Sequence, residues 1–508
     1  MEAARGMASG TARGTAREAS GAACEADMPD DALREALATI VGVRNVLIDD
    51  IDRAPHDAEQ RGAYPGRSAF VVRPGSTDEV ARVVSLAARR GRSIVPQGGN
   101  TGLVGGGVAR GDASTPDAEG RTGAGRDIVL ALGRMDAVRD LDAAGGTMVV
   151  EAGCVLDRVR EAADGADRLF PLALGSGGSA QIGGLVSTNA GGMGVLAYGN
   201  TRDLVLGLEV VMPDGRVWDG LTRLRKNNTG YDLKHLFIGG EGTLGVVTAA
   251  ALRLFPKPRG IEVAFAGFAS PAAGLALFET LRSRAGAQLT MFELIARTPV
   301  AMAMRHRGHR EPLAAEHPWY ALVEISSGRS PEDARGLMEA ALGEALEAGT
   351  IDDAALAGSL AQAGAFRALR EDCAWAQREE GGSIKHDISV PVHAVPTFIE
   401  RAAPIVESVV PGARVVCFGH MGDGNLHYNV SQPVDWEKSA FLERYEAMND
   451  AVFALVLELG GSISAEHGIG QQKRARLPAI KPAVEIDAMR AIKRALDPRG
   501  TMNPGKLL

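Results

Sequence analysis

Two stretches of the chain, PQGGNTGLVGGG (96–107) and PLALGSGGSAQIGGLVSTNAGG (171–192), are richer in glycine than a packed helix or strand tolerates. Such segments read as turns, and turns without Cβ atoms let backbone N–H groups close around an anion, with pyrophosphate the natural guest. The second stretch contains G-S-G-G-S-A at 175–180, a formal match to the dinucleotide fingerprint G-x-G-x-x-G/A. That match is weak. A Rossmann fingerprint opens a long helix, whereas Gly183 and Gly184 interrupt this one, and no acidic residue follows at the end of a second strand. No Walker A sequence is present either. Either segment alone could be ordinary turns of an α+β domain. A third turn of the same kind, FIGGEGTLGVVT (237–248), shifts the reading toward a bound dinucleotide, with amides offered to an adenine or a ribityl chain.

The 508 residues exceed what one core can hold, so two or three domains are expected. A net charge of -8 with no Lys/Arg-rich run speaks against a nucleic-acid surface. No apolar run is long enough to cross a bilayer. The opening residues lack the apolar centre of a secretory signal, and Glu2, Glu18, Glu25 and Asp27 argue against an organelle transit peptide. Residues 1–30 are therefore expected to form a disordered tail. Cys24, Cys154, Cys373 and Cys417 are scattered without a C-x-x-C, which disfavours a disulfide framework or an iron–sulfur cluster and suits a reducing cytoplasm.

RPGSTDEVARVVSLAARRGRSIVPQGGNTG (73–102) reads as a capped helix, a stop at Gly91 and a short strand at Ser93–Val95. Ser76 and Glu79 resemble a capping box, with Val80, Val83, Val84 and Ala87 on one face. TPDAEGRTGAGRD (115–127) reads as a surface loop, and Asp214-Gly215 as the turn of a hairpin. The prolines of LFPKPRG (254–260) suit a domain border, beyond which strands and helices alternate as in an α+β domain.

HMGDGNLHYNV (420–430) sits between strand-like segments, and a hairpin there brings His420 and His427 within reach of one cation. Two imidazoles, a carboxylate and open positions make a catalytic metal set, although histidines of this sort are often only turn or core residues. SISAEHGIG (462–470) supplies the missing partner. Glu466 and His467 are adjacent, so in an extended segment they point opposite ways and one can ligate while the other faces the pocket. Asp423 is a rival ligand that could instead cap its own turn.

PQGGNTG, GSGGSAQIGGLVSTNAGG, YDLKHLFIGGEGTLGVVT and the terminal DPRGTMNPGK together resemble the FAD-linked oxidase family, with its vanillyl-alcohol-oxidase or PCMH-type fold. Within it they resemble the D-2-hydroxyacid dehydrogenase branch, over about residues 40–508. The resemblance implies an α+β chain with a PCMH-type FAD-binding domain of two α+β subdomains (31–256). A ferredoxin-like α+β substrate cap (257–415) follows, then a C-terminal helical and hairpin segment (416–508) that returns to the flavin. The first glycine loop offers Gln97 and Asn100 but no histidine, which implies non-covalent FAD.

Carried over by position, flavin contacts fall on Pro96, Gln97, Gly98, Gly99, Asn100, Thr101, Gly102 and Leu103. More fall on Gly175, Ser176, Ser179, Gly183, Gly184, Ser187, Thr188, Asn189, Gly191, Val246 and, from the far end of the chain, Asn503. The resemblance puts a divalent metal, zinc by expectation, on His420, His427 and Glu466, and makes His467 the base. Arg370, Lys385 and Asn425 become substrate contacts, while His386 is read as structural. Where some hydroxyglutarate dehydrogenases carry a threonine four residues after that arginine, this chain has Ala374, which leaves the exact acid open.

The implied reaction takes hydride from C2 of a D-2-hydroxyacid to flavin N5, D-2-hydroxyglutarate first, with D-lactate or glycolate as runner-up. A non-catalytic flavin- or metal-binding regulatory protein is the reading from another class. The implied electron acceptor is external, an electron-transfer flavoprotein or a quinone. A homodimer is a candidate assembly, and a peripheral place at the inner membrane a candidate location.

Overall fold

The helix Thr77–Arg89 forms as its sequence dictates. Ser76 Oγ accepts the Glu79 amide at 3.2 Å, and Val80, Val83, Val84 and Ala87 are buried. The Glu79 carboxylate reaches back as well, but it accepts from the Gly75 amide (2.7 Å) rather than from that of Ser76. This computed structural model describes residues 30–111 and 125–508. The tail expected over 1–30 (Asp30 apart) and most of the loop expected over 115–127 lie outside the described residues.

The strand after this helix, Ile94–Gln97, extends past the expected Ser93–Val95 and runs parallel to Ile128–Ala131. Phe70–Val72 and Val46–Leu47 complete a four-stranded sheet. A second sheet, antiparallel, takes the order Val138–Asp142, Thr147–Glu151, Val246–Arg253, Val205–Val211, Val217–Gly220. Its last two strands are joined through Asp214-Gly215, where Gly215 holds φ 91° as the turn requires. Val211 and Val246 of this sheet pack into the core of the first, so two α+β subdomains share a seam.

Beyond Phe255–Pro256 a third sheet begins. Its strands Gly260–Phe268, Leu289–Ala296, Trp319–Ser327 and Asp353–Leu356 lie in the spatial order fourth, first, third, second, all antiparallel. Helices Pro271–Ala285 and Pro331–Glu347 connect the first to the second and the third to the fourth, which is the ferredoxin-like arrangement. The sheet does not stop there. Leu294 and Ile295 pair with Gly419 and Phe418, so the hairpin Arg414–Gly419/Asn425–Ser431 continues the cap sheet across the border expected at 415/416. Pairing covers an edge that would otherwise lie open. Ser383–Ile384 and Asp387–Ser389 then add to Asn425–Ser431.

The chain end returns to the first glycine segment. Ile94 N–H donates to Thr501 O and Asn503 N–H to Ile94 O, both at 2.8 Å. No helix among the described residues is long and apolar enough to cross a membrane.

Candidate active site

The first two glycine segments fold against each other. A Cβ at Gly99 would stand 1.9 Å from the Ser179 carbonyl oxygen, an approach only glycine permits. Between the segments opens a cavity, a concave place of the kind cofactors occupy. Pro96, Gln97, Gly98, Gly99, Asn100, Thr101 and Gly102 line it, with Gly183, Gly184, Ser187, Thr188, Glu241, Gly242, Val247 and His467. Cβ atoms built at Gly102 and Gly184 meet nothing within 4 Å, so these glycines face room for a ligand. Gly99→Val should push the segments apart, at a cost of about 1–3 kcal/mol. Its expected signature is a purified protein with a flavin-to-protein absorbance ratio well below the parent's; an unchanged ratio would show that this contact does not matter for holding the cofactor.

Leu103, Gly175, Ser176, Ser179, Asn189, Gly191, Val246 and Asn503 are not on that lining. Strand side chains alternate, so the Val246 side chain turns into the core while Val247 takes the cavity side. Ser179 backs Gly99, and Asn189 ends the helix Ile182–Thr188 at φ 51°. Gly191 instead lies beside Glu466, whose Oε1 would be 2.8 Å from a Cβ there. Asn503 acts from behind the wall. Its Nδ2 donates to Gly106 O (2.9 Å) and Glu241 O (2.7 Å), joining the first and third glycine turns.

On the cap sheet, Phe418 pairs with His427 and His427 with Asp387. Strand alternation therefore puts Phe418, His427, Asn429, Asp387 and Lys385 on one face. Tyr428, Leu426 and Ile388 turn into the core on the other. His386 follows them: its Nδ1 pairs with Tyr428 O at 2.8 Å and its ring meets Phe453 edge-on. His420 stands just past its strand, its ring centroid 5.8 Å from that of His427.

Glu466 Oε2 lies 3.8 Å from His420 Nε2 and 3.7 Å from His427 Nε2. These separations are long for hydrogen bonds and near the ~3.4 Å that two ligands keep around one tetrahedral ion. Glu466 Oε1 is buried without a hydrogen-bond partner. Asp387, His427 and His467 form a second group with ligand spacing. There, however, the carboxylate is already used. Asp387 Oδ2 accepts the amides of Glu466 (2.9 Å) and His467 (2.8 Å), and Oδ1 accepts from Asn425 Nδ2 (3.1 Å). His420, His427 and Glu466 thus fit a cation better, and Asp387 fits the task of fixing the Glu466–His467 backbone. Asp423 closes its own turn by accepting the Asn425 amide at 3.0 Å, and burial pushes its carboxyl up to about 6.

Glu293 is fully buried between His420 Nδ1 and Arg370 Nε, the latter at 2.6 Å. Burial works against its charge, but Arg370 and His420 outweigh it and hold the carboxyl down at about 2. Burial likewise opposes charge on His420, yet the Glu293 and Glu466 carboxylates raise its proton affinity well above the usual imidazole value. Burial lowers His427 to about 4 and lowers His467 too, against the pull of Asp387. His467 Nδ1 is 3.7 Å from Asp387 Oδ2, and the ring borders the glycine-walled cavity.

Arg370 spends its Nε on Glu293 and lies 4.7 Å over the Phe418 ring, which leaves its Nη edge for a ligand. Lys385 Nζ donates to Gln377 Oε1 at 2.9 Å. Asn425 is held by Asp387 and by Ile388 O, so only its buried, unpaired Oδ1 remains to meet a substrate.

Sequence reasoning missed Glu293, Asp387 and Glu241. Glu241 carries the third glycine turn at φ 50°, and its carboxylate accepts the Ile469 and Gly470 amides, both at 2.7 Å. For Glu293 the available signal was a lone acid inside an apolar strand, TMFELIA, since a buried carboxylate must find a cation or several donors.

A glycine-walled cavity between two α+β subdomains, facing a ferredoxin-like cap, defines an FAD-linked oxidase. The chain belongs to that family: the profile of the FAD linked oxidases' C-terminal domain matches residues 257–507, and that of the FAD binding domain residues 68–220. Within the family it is similar to D-2-hydroxyglutarate dehydrogenases. It is 38% identical to the mitochondrial one of Bos taurus over 465 residues, covering 91% of this chain and 81% of that protein. To that of Xanthomonas citri pv. viticola it is 36% identical over 437 residues, 86% and 88% of the two chains. The fold alone also matches p-cresol methylhydroxylase with substrate bound, at TM-score 0.71 and 15% identity, covering 94% and 96%.

Proposed function

We propose that this chain oxidises a D-2-hydroxyacid, D-2-hydroxyglutarate first, to the 2-oxoacid, using non-covalent FAD and a divalent cation, zinc by preference. One observation carries the reading. The His420–His427–Glu466 group, with its unpaired buried Oε1, adjoins His467, which itself borders the glycine-walled cavity. When bound, FAD supplies a two-electron acceptor and the cation a Lewis acid for the substrate hydroxyl. His467, kept neutral near pH 7 by burial, accepts the hydroxyl proton on Nε2. Asp387 fixes its backbone and faces Nδ1.

Glu293 orients His420 and Arg370 together, so the cation site and the carboxylate grip share one anchor. The Nη edge of Arg370 takes the C1 carboxylate, and Asn425, at the start of its strand, offers only an acceptor oxygen, suited to the substrate hydroxyl before its proton leaves. An external acceptor, an electron-transfer flavoprotein or a quinone, reoxidises the flavin. A cytoplasmic location, peripheral to the inner membrane, and a homodimer complete the proposal.

Anaerobic mixing with a panel of D- and L-2-hydroxyacids, followed by flavin bleaching, tests it. D-2-hydroxyglutarate should bleach the flavin within seconds and its L enantiomer should not. Faster bleaching by D-lactate or glycolate would move the substrate to the runner-up, and no bleaching by any acid would leave a binding protein without turnover.

A further inference from the structure

Glu241 belongs to the flavin cavity and to the catalytic segment at once. Its turn follows the helix Lys234–Phe237, and Glu241 and Gly242 line the cavity. The turn is tied to the second glycine segment, with the Glu241 amide donating to Ser187 O at 2.8 Å. Its carboxylate reaches the catalytic segment, where Oε1 accepts the Ile469 amide and Oε2 that of Gly470, both at 2.7 Å. Gly468, the residue after His467, packs on the same carboxylate: a Cβ there would stand 2.8 Å from Oε1.

Residues 463–473, which carry Glu466 and His467, form neither helix nor strand, so partners from elsewhere set their shape. Asp387 holds the Glu466 and His467 amides from the cap side. On the flavin side, Glu241 shares the task with the first glycine segment. Val104 O accepts the Gln471 amide and Gly105 O accepts from Gln471 Nε2, both at 2.9 Å. Val104 and Gly105 border the cavity as well. An occupant of the cavity therefore rests against the same turns that hold the segment. Glu241 itself is held at a cost. Its φ of 50° lies in the left-handed region that a residue with a Cβ avoids, and burial works against its charge.

We propose that Glu241 is a positioning residue that couples the two halves of the active site, so that FAD and the divalent cation bind cooperatively. This coupling rests on the reading of His420, His427 and Glu466 as a cation site. With flavin in place the turn keeps its left-handed shape, the carboxylate holds Ile469 and Gly470, and Glu466 stands opposite the two histidines. With the cavity empty the turn relaxes toward negative φ, and the carboxylate leaves the two amides and frees the segment. Coupling between two ligands is reciprocal, so zinc tightens FAD by the factor by which FAD tightens zinc.

The test measures the FAD Kd by fluorescence in flavin-loaded protein, saturated with zinc or treated with chelator, for the parent, Glu241→Gln and Glu241→Asp. Zinc should lower the parent Kd about 10-fold, a usual size for coupling between sites. Glutamine keeps the length but sets its NH2 against one of the two amides. In Glu241→Gln zinc should still bind and yet leave the FAD Kd where the chelator left it. Aspartate keeps the charge with a shorter reach and should retain part of the shift. A role confined to holding the fold would raise the Kd with and without zinc alike and leave the shift at its parental size. A parental shift in Glu241→Gln, or none in the parent, overturns the proposal. Should Glu241→Gln fail to hold flavin, Glu241→Asp decides, a smaller shift supporting the coupling and a parental one overturning it. Zinc uptake, measured by competition with a chromophoric chelator, is compared with that of Glu466→Gln. A parent that takes up no more zinc than this variant overturns the cation site and the coupling with it; a parent that takes up zinc with no change in its FAD Kd overturns the coupling alone.

Discussion

His467→Ala should slow flavin reduction by D-2-hydroxyglutarate about 10²- to 10⁴-fold, the usual range for loss of a positioned base, while the protein stays yellow. The variant should keep its fold because its anchor is the backbone: the His467 amide still donates to Asp387 Oδ2 at 2.8 Å. KM should move much less than kcat, since the imidazole acts on the proton in flight and Arg370 does the gripping. The pH profile separates base from bystander. Burial lowers the proton affinity of His467, so the imidazole is free to accept a proton at and above neutral pH and loses that capacity only as pH falls through the lowered value. The parent rate should therefore decline on the acid side, and that limb should vanish in the variant. Stopped-flow bleaching under argon between pH 5 and 9 is the measurement; a variant that bleaches at the parental rate removes His467 from the role of base.

The features that could be read from the chain alone were those whose partners lie close in sequence. The helix at 77–89, the Asp214-Gly215 hairpin and the histidines paired across the 420–424 turn all depend on neighbours within about ten positions. The glycine segments could be read for a different reason, since few roles other than close backbone approach accept so many missing Cβ atoms. Glu293 stayed hidden because its meaning comes from Arg370 and His420, 77 and 127 residues away. Asp387 stayed hidden for the same reason, 80 residues from the amide of His467. The border expected at 415/416 came with the resemblance and no local pattern marks it, whereas Leu294 and Ile295 pair with the hairpin across it in the sheet.

The second large effect concerns the cation. Glu466→Gln should lower zinc affinity at least about 100-fold and abolish turnover, because it exchanges the only anionic ligand of the group for a neutral one. Glu293→Gln leaves all three ligands in place and should cost about 10- to 100-fold in affinity, as losses behind a histidine ligand do. The acid dependence follows from His420. In the metal-free protein Glu293 and Glu466 raise its proton affinity well above the unfolded value of 6.5. The charged imidazole therefore contributes stability that is fully present below about pH 6.5 and is lost as pH rises through the raised value. Zinc must expel that proton to bind, so its own stabilisation is smallest in acid and grows with pH. Thermal unfolding of chelator-treated protein, with and without added zinc, should show a larger gain in Tm at pH 8 than at pH 6. The excess should disappear in Glu466→Gln. A gain of equal size at both pH values, or full turnover after the metal has been stripped, would mean that His420, His427 and Glu466 hold no ion and that the hydroxyl is activated by His467 alone.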